Sequence, residues 1–180
     1  MAGVVQLVPI GTASRALFRE LAEPLAVTLG VETVVGSSLA DPKYAFNKDR
    51  NQYHSSAILR RLAAMRAKKQ IGVLGLTEID LFVPELDFVF GESDRESGAS
   101  LLSLTRLRPE FYGEPQDMDR VRARGRVELL HEVGHLLGLS HCEDARCPMF
   151  AAILAADTDR KTRALCSNCR AELARLSRGR

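Results

Sequence analysis

Three histidines and a glutamate fall within one short stretch, His131, Glu132, His135 and His141, in the pattern HExxHxxGxxH. Histidines four apart on a helix project from one face, so the imidazoles of His131 and His135 can share one ion. Gly138 follows three residues after His135. Glycine takes a positive φ without steric cost, so it can end the helix, reverse the chain and bring His141 back as a third ligand. Neutral imidazole suits zinc, and three protein ligands leave a coordination position open, as in catalytic rather than structural sites. Glu132 is rotated about 100° from His131 around the helix, toward that open position. There it can serve as general base. A zinc-bound water, with its pKa lowered from ~16 toward ~7, gives Glu132 a proton as it attacks a carbonyl, and Glu132 passes the proton to the leaving amine. The chemistry these side chains could perform is amide hydrolysis.

The cysteines form a second set. Cys142 directly follows His141, and Cys147, Cys166 and Cys169 complete the four in the chain. Two pairs joined by a connecting segment suit a closed, structural four-thiolate zinc site. Two disulfides, or four unliganded thiols, are the alternatives. Because His141 and Cys142 are neighbours, two metals would lie on the order of 10–15 Å apart. The expected cofactor complement is two Zn2+ per chain. A zinc-stabilised binding or regulatory module with little turnover is the competing reading, but it gives Glu132 no work to do.

These residues need a scaffold. Val4 to Ile10 and Val31 to Val35 read as strands, and Ser14 to Leu29 as a helix kinked at Pro24. Asp41 to Gln52 reads as a polar loop and Ser55 to Lys69 as an amphipathic helix. Ile71 to Phe82 reads as one long strand. Asp87 to Phe90 and Leu101 to Leu107 read as two more, joined by a polar hairpin loop at 91–98. Asp117 or Asp119 can cap a long helix reaching Leu137, and Arg170 to Leu176 reads as a short closing helix. Strands alternating with helices imply an α/β (α+β) domain whose mixed sheet is mostly parallel, with Leu86 to Phe90 as its antiparallel edge strand. One domain spans 1–180. Its first part, 1–138, holds the sheet and helices including the active-site helix, and 139–180 carries the cysteines.

Composition narrows the partners. A net charge of +2 and 27% charged residues are not the profile of a nucleic-acid binder, and the Arg178-Gly179-Arg180 end reads as a solvated tail. No run is long enough to span a membrane, and the N-terminus lacks the basic start of a signal peptide. The expectation is a cytoplasmic monomer acting on peptide or protein substrates. His54 reads as a surface or helix-start residue rather than a ligand. Glu78 and Asp80, two apart in a strand, share a face without defining a catalytic pair.

The combination HExxHxxGxxHC, then Cys147-Pro148-Met149, then CxxC at Cys166 and Cys169 resembles the metzincin zinc peptidases, and among them the archaemetzincins. The resemblance implies a metzincin-like fold, a catalytic zinc on His131, His135 and His141, Glu132 as base, and a second zinc on the four cysteines. Met149 matches the methionine that lies in a tight turn beneath the metzincin zinc, a position that ordinary core packing would also explain. The site of a tyrosine ligand found in some metzincins is here Ala151, so no such ligand is implied. Thr77 to Phe82, Phe88 to Glu92 and Ser103 to Leu107 are similar to family strands. The resemblance also implies that the edge strand lines the substrate cleft, which places Phe88, Val89, Phe90 and Gly91 beside a peptide added main chain to main chain. Aminopeptidase-like action and endopeptidase action both remain open.

Overall fold

A computed structural model describes residues 3–178. Met1, Ala2, Gly179 and Arg180 lie outside the described residues, and with them most of the basic C-terminal end. Along the chain the strands are β1 (Gly3–Pro9), β2 (Val31–Val35), β3 (Phe46–Asn47), β4 (Gln52–His54), β5 (Gln70–Thr77), β6 (Leu81–Phe82), β7 (Gly91–Asp94) and β8 (Ala99–Ser103). The helices of α type are α1 (Arg15–Ala22), α2 (Pro24–Leu29), α3 (Ser55–Ala63), α4 (Met118–Leu137), α5 (Ala155–Thr158) and α6 (Ser167–Arg178). The main sheet runs β2-β1-β5-β8-β7; a small second sheet runs β3-β4-β6. In the main sheet all pairings are parallel except β7 with β8, so the mixed sheet carries an antiparallel edge strand.

The sheet is covered on both faces, which is why its central strands read as nearly continuous apolar runs. Alternate residues serve opposite cores. Val5, Leu7, Leu74, Leu76 and Leu102 pack with α1, α2 and α4. Val8, Val73, Leu101 and Ala99 pack with α3 through Ile58, Leu59 and Leu62. Helix α4 crosses the first face. Asp117 caps it, its side chain accepting the Arg120 N–H, and Asp119 sits in the first turn. Val121, Leu129, Leu130 and Val133 are wholly buried, each contributing about 1.5–3 kcal/mol of hydrophobic stabilisation.

Several expected boundaries move. The helix expected over Ser14 to Leu29 is two, α1 capped by Ser14 and α2 opened by Pro24, because proline removes a donor and suits the first turn of a new helix. Helix α3 stops at Ala63, short of the expected Lys69, and the polar loop at 41–52 contributes the short strands β3 and β4. The long strand expected over Ile71 to Phe82 breaks after Thr77. Arg108 grips the Glu78 carboxylate at 2.7 and 2.8 Å and Arg106 grips Asp80 at 2.6 and 2.8 Å. These bidentate pairs lead the chain out of the main sheet, so that Leu81–Phe82 pairs with β4 instead. Glu78 and Asp80 are therefore anchoring groups.

The antiparallel edge strand exists, but it is Gly91–Asp94 and not Leu86 to Phe90. The hairpin turn shrinks to the residues before β8, with Gly98 at φ 70°. After Ser103 the chain leaves the sheet, and Thr105–Leu107 is a short 3-10 turn rather than strand. The closing helix α6 starts at Ser167, between the last two cysteines in sequence.

Candidate active site and metal centres

Helix α4 presents His131 and His135 on one face, and Gly138 ends it as expected, at φ 99°. The N–H of Gly138 bonds His135 O at 2.9 Å and the N–H of Leu139 bonds Gly134 O at 2.9 Å, a Schellman closure that satisfies the last carbonyls while reversing the chain. The reversal brings His141 against both helical rings, with centroids 5.3 Å from His131 and 4.9 Å from His135. One nitrogen from each of the three lies within 4.8 Å of the others.

The tautomers follow from the partners. Nδ1 of His131 faces the Pro148 carbonyl at 2.9 Å, and Nδ1 of His135 faces the Leu139 carbonyl at 2.8 Å. A carbonyl oxygen only accepts, so both Nδ1 atoms carry protons and both Nε2 atoms are lone-pair acceptors. Burial holds both imidazoles below their ordinary range, His131 well below it, so neither ring gains a second proton at neutral pH. Two acceptors then face each other across 3.0 Å with no proton to share. A cation between them resolves this. Tetrahedral zinc with Zn–N near 2.0–2.1 Å would set ligand nitrogens about 3.3 Å apart. The donor set fits zinc.

The cysteine set passes a similar test. Cys142, Cys147, Cys166 and Cys169 gather their sulfurs within 4.8 Å, with Cys147 and Cys169 buried. Sγ of Cys142 and Sγ of Cys166 are 3.7 Å apart, too far for a disulfide. It is the edge of about 3.75 Å expected of a tetrahedron with Zn–S of 2.3 Å. Burial pushes the Cys169 and Cys142 thiols up, while the Cys169 N–H holds Cys166 down.

Glu132 leaves α4 toward the edge strand. Its Oε2 lies 2.5 Å from the Ser93 hydroxyl of β7. A Cβ on Gly91 would meet Glu132 Oε1 at 2.5 Å, so glycine there makes room for the carboxylate. Burial pushes Glu132 up to about 8, against the Ser93 hydrogen bond, which lowers it. A dication on the neighbouring histidines would draw it back down. Met149 is fully buried, and a Cβ on Gly134 would collide with its Sδ, so the methionine sits under the helical turn between the two histidines. The Cys142 N–H bonds Met149 O at 3.0 Å, tying that turn to the segment carrying His141.

Phe88, Val89, Phe90 and Gly91 line a cleft together with His131, Glu132 and His141. Only Gly91 belongs to β7; the Val89 N–H pairs with Leu81 O in an isolated bridge. Glu92, Ser93 and Arg95 line its continuation on the other side of the histidines. His54 ends β4 directly before α3, its ring edge-on to Phe82 at 5.2 Å, and belongs to neither metal set. Sequence reading did not single out Ser93, Glu128 or Lys161. The only available signal was weak: Glu128 lies three residues before His131, on the same helical face.

Residues 27–175 match peptidase family M54. The chain is 37% identical over 161 residues to an archaemetzincin of Methanocaldococcus jannaschii, covering 89% of this chain and 87% of that one. The chain belongs to the archaemetzincin family of zinc metallopeptidases. It is therefore a hydrolase. Among solved structures it is similar to a zinc-dependent peptidase of Methanocorpusculum labreanum, at 28% identity and a TM-score of 0.85, covering 94% of this chain and 99% of that one. It is equally similar in shape to an archaemetzincin of Methanopyrus kandleri, at 31% identity, TM-score 0.85, and 98% and 96% coverage. The archaemetzincin fold therefore extends over nearly the whole chain. No helix among the described residues is long and apolar enough to cross a membrane.

Proposed function

We propose that this archaemetzincin cleaves peptide bonds with Glu132 as general base, His131, His135 and His141 holding a catalytic zinc, and the four cysteines holding a structural one. The observation that carries the reading is the 3.0 Å approach of the His131 and His135 Nε2 atoms on α4, with the Glu132 carboxyl following His131 on the same helix. Zinc bound there would supply Lewis acidity to a water and to the substrate carbonyl. The remaining steps belong to the chain's own residues. Glu132 takes a proton from the attacking water and hands it to the leaving amine. Gly91 and Ser93 shape the space its carboxylate occupies.

The substrate would lie along β7. The Ser103 N–H bonds Phe90 O at 2.8 Å, so Phe90, Glu92 and Asp94 turn their backbone groups toward β8, and Gly91 and Ser93 turn theirs outward. A peptide added as a further strand would bond those outward groups, with Phe88, Val89 and Phe90 beside it. We infer a single chain in the cytoplasm as the working unit: one chain supplies all seven metal donors and the base, and in a reducing compartment clustered cysteines more often hold metal than form disulfides.

The test compares peptide cleavage by wild type and Glu132→Ala at equal zinc content. The variant should lose at least about 10²–10⁴-fold in rate. Equal rates would retire Glu132 as base. Matched peptides with free and acetylated N-termini locate the cut: an aminopeptidase-like enzyme needs the free amine.

A further inference from the structure

Glu128 and Lys161 take no part in that reaction, yet they form an ion pair of 2.6 Å with side-chain exposures of 3% and 0%. Among the described residues no other ion pair has both partners this deep. Taking two charges out of water is expensive, and a well-packed apolar pair of similar volume often serves stability better. Their surroundings suggest what the pair does. Lys161 Nζ also donates to the Pro148 carbonyl at 3.2 Å. The same oxygen receives the His131 Nδ1–H at 2.9 Å. A carbonyl oxygen has two lone pairs, and here both are used, one by the ring and one by the ammonium. The ammonium is thus the second donor that fixes this carbonyl between Cys147 and Met149. Both ends of the chain of contacts sit on α4, where Glu128 and His131 are three residues apart; the middle comes from the C-terminal part.

We propose that Lys161, held by Glu128, is a positioning residue for His131: it fixes the Pro148 carbonyl, and with it the tautomer and ring plane through which Nε2 meets the metal. The proposal rests on reading His131 as a zinc ligand. A ligand's hydrogen-bond partner sets its orientation and basicity, and losing such a partner weakens metal binding by about 10–100-fold. A pair that merely bolted the C-terminal part to α4 would show itself in folding stability instead.

Zinc affinity, measured by competition with a chromophoric chelator on the full chain, separates the two roles. Lys161→Met should weaken the three-histidine site by about 10–100-fold while the four-cysteine zinc stays bound. The double variant K161M/E128M replaces the ion pair with apolar side chains. It should regain thermal stability relative to Lys161→Met but leave the zinc affinity weak. Glu128→Gln keeps the shape and loosens the ammonium, so it should weaken zinc binding by a smaller factor, and it serves if Lys161→Met fails to fold. Wild-type zinc affinity in the double variant or in Glu128→Gln would overturn the proposal. His131→Ala is the control: if it keeps the full zinc content, the metal reading itself fails, and the positioning role fails with it.

Discussion

The Ser93 hydroxyl oxygen lies 2.5 Å from Glu132 Oε2 and 2.6 Å from the Ser100 hydroxyl, which is itself fully buried. Each hydroxyl has one proton. With Ser100 donating to Ser93, the Ser93 proton goes to the Glu132 carboxylate, and the proposed base is held by a charge-assisted bond from the edge strand. Such a bond is worth about 1.5–3 kcal/mol. Ser93→Ala should therefore lower kcat by about 10–100-fold, leave KM nearly unchanged and keep zinc content at wild type. Ser93→Thr, which keeps the hydroxyl, should retain most activity. Steady-state kinetics at matched zinc check this, and a change confined to KM would contradict it.

Gly91 makes room for the same carboxylate. A Cβ there would meet Glu132 Oε1 and the Leu101 carbonyl oxygen, each at 2.5 Å. The carboxylate can swing away, but the β8 backbone cannot. Gly91→Ala should cost about 1–3 kcal/mol of stability, as overpacking does. It should also cost activity beyond what that destabilisation explains, because Glu132, the proposed base, moves from its place. Urea denaturation beside peptide-cleavage rates tests this; full activity in the variant would show that Glu132 works from another position.

Much of this site could be read from the sequence because it is local. His131, Glu132 and His135 share two helical turns, Gly138 reverses the chain, and both the capping by Asp117 and the helix end at Leu137 follow from short-range rules. The edge strand could not be read that way. Gly91–Asp94 is polar, so it lacks the alternating apolar signal of a strand and resembles a loop. Its polar side chains are satisfied only in three dimensions. Glu92 accepts from Ser55 and Ser56 at the start of α3, and Ser93 meets Glu132 from α4. The break after Thr77 was hidden for the same reason, since the arginines that hold Glu78 and Asp80 lie 26 to 30 residues away. Lys161 gives no local sign of burial; its partner Glu128 is 33 residues distant.

Asp157 gives stability a pH dependence that can be isolated. Its carboxylate accepts the Leu154 N–H at 2.8 Å and the Ile153 N–H at 3.0 Å, closing the segment that follows the Met149 turn. The Leu154 N–H, helped by the Ile153 N–H and Arg160, holds this carboxyl below its ordinary range. A depressed folded-state pKa means the contribution is complete above the unfolded value of about 3.9 and disappears as pH falls through the folded value. Asp157→Asn should be less stable than wild type at pH 7. The gap should close as pH drops below about 4. Chemical denaturation of both proteins across that range measures it; a gap that widens on acidification would reverse the assignment.

The two proposed zinc sites should release their ions at different rates, and the difference follows from exposure and closure. His141 is exposed and His135 half-buried, whereas Cys147 and Cys169 are buried and four thiolates close their site. Metal analysis should find one zinc for each donor set. A strong chelator should remove the first quickly, together with activity, and the second slowly. Re-added zinc should restore activity as long as the second has stayed bound. On the proposed reading, the peptide bond between His141 and Cys142 and the Cys142 N–H to Met149 O bond would let the cysteine site support the third histidine. Cys169→Ser should therefore lose its own zinc and also bind the catalytic one more weakly, by about 10-fold or more, the scale of other outer-shell losses. Time-resolved chelation with a metal-sensitive dye reads both steps. Release of both ions in a single phase from wild type would contradict the ordering, and unchanged affinity at the histidines in Cys169→Ser would contradict the support.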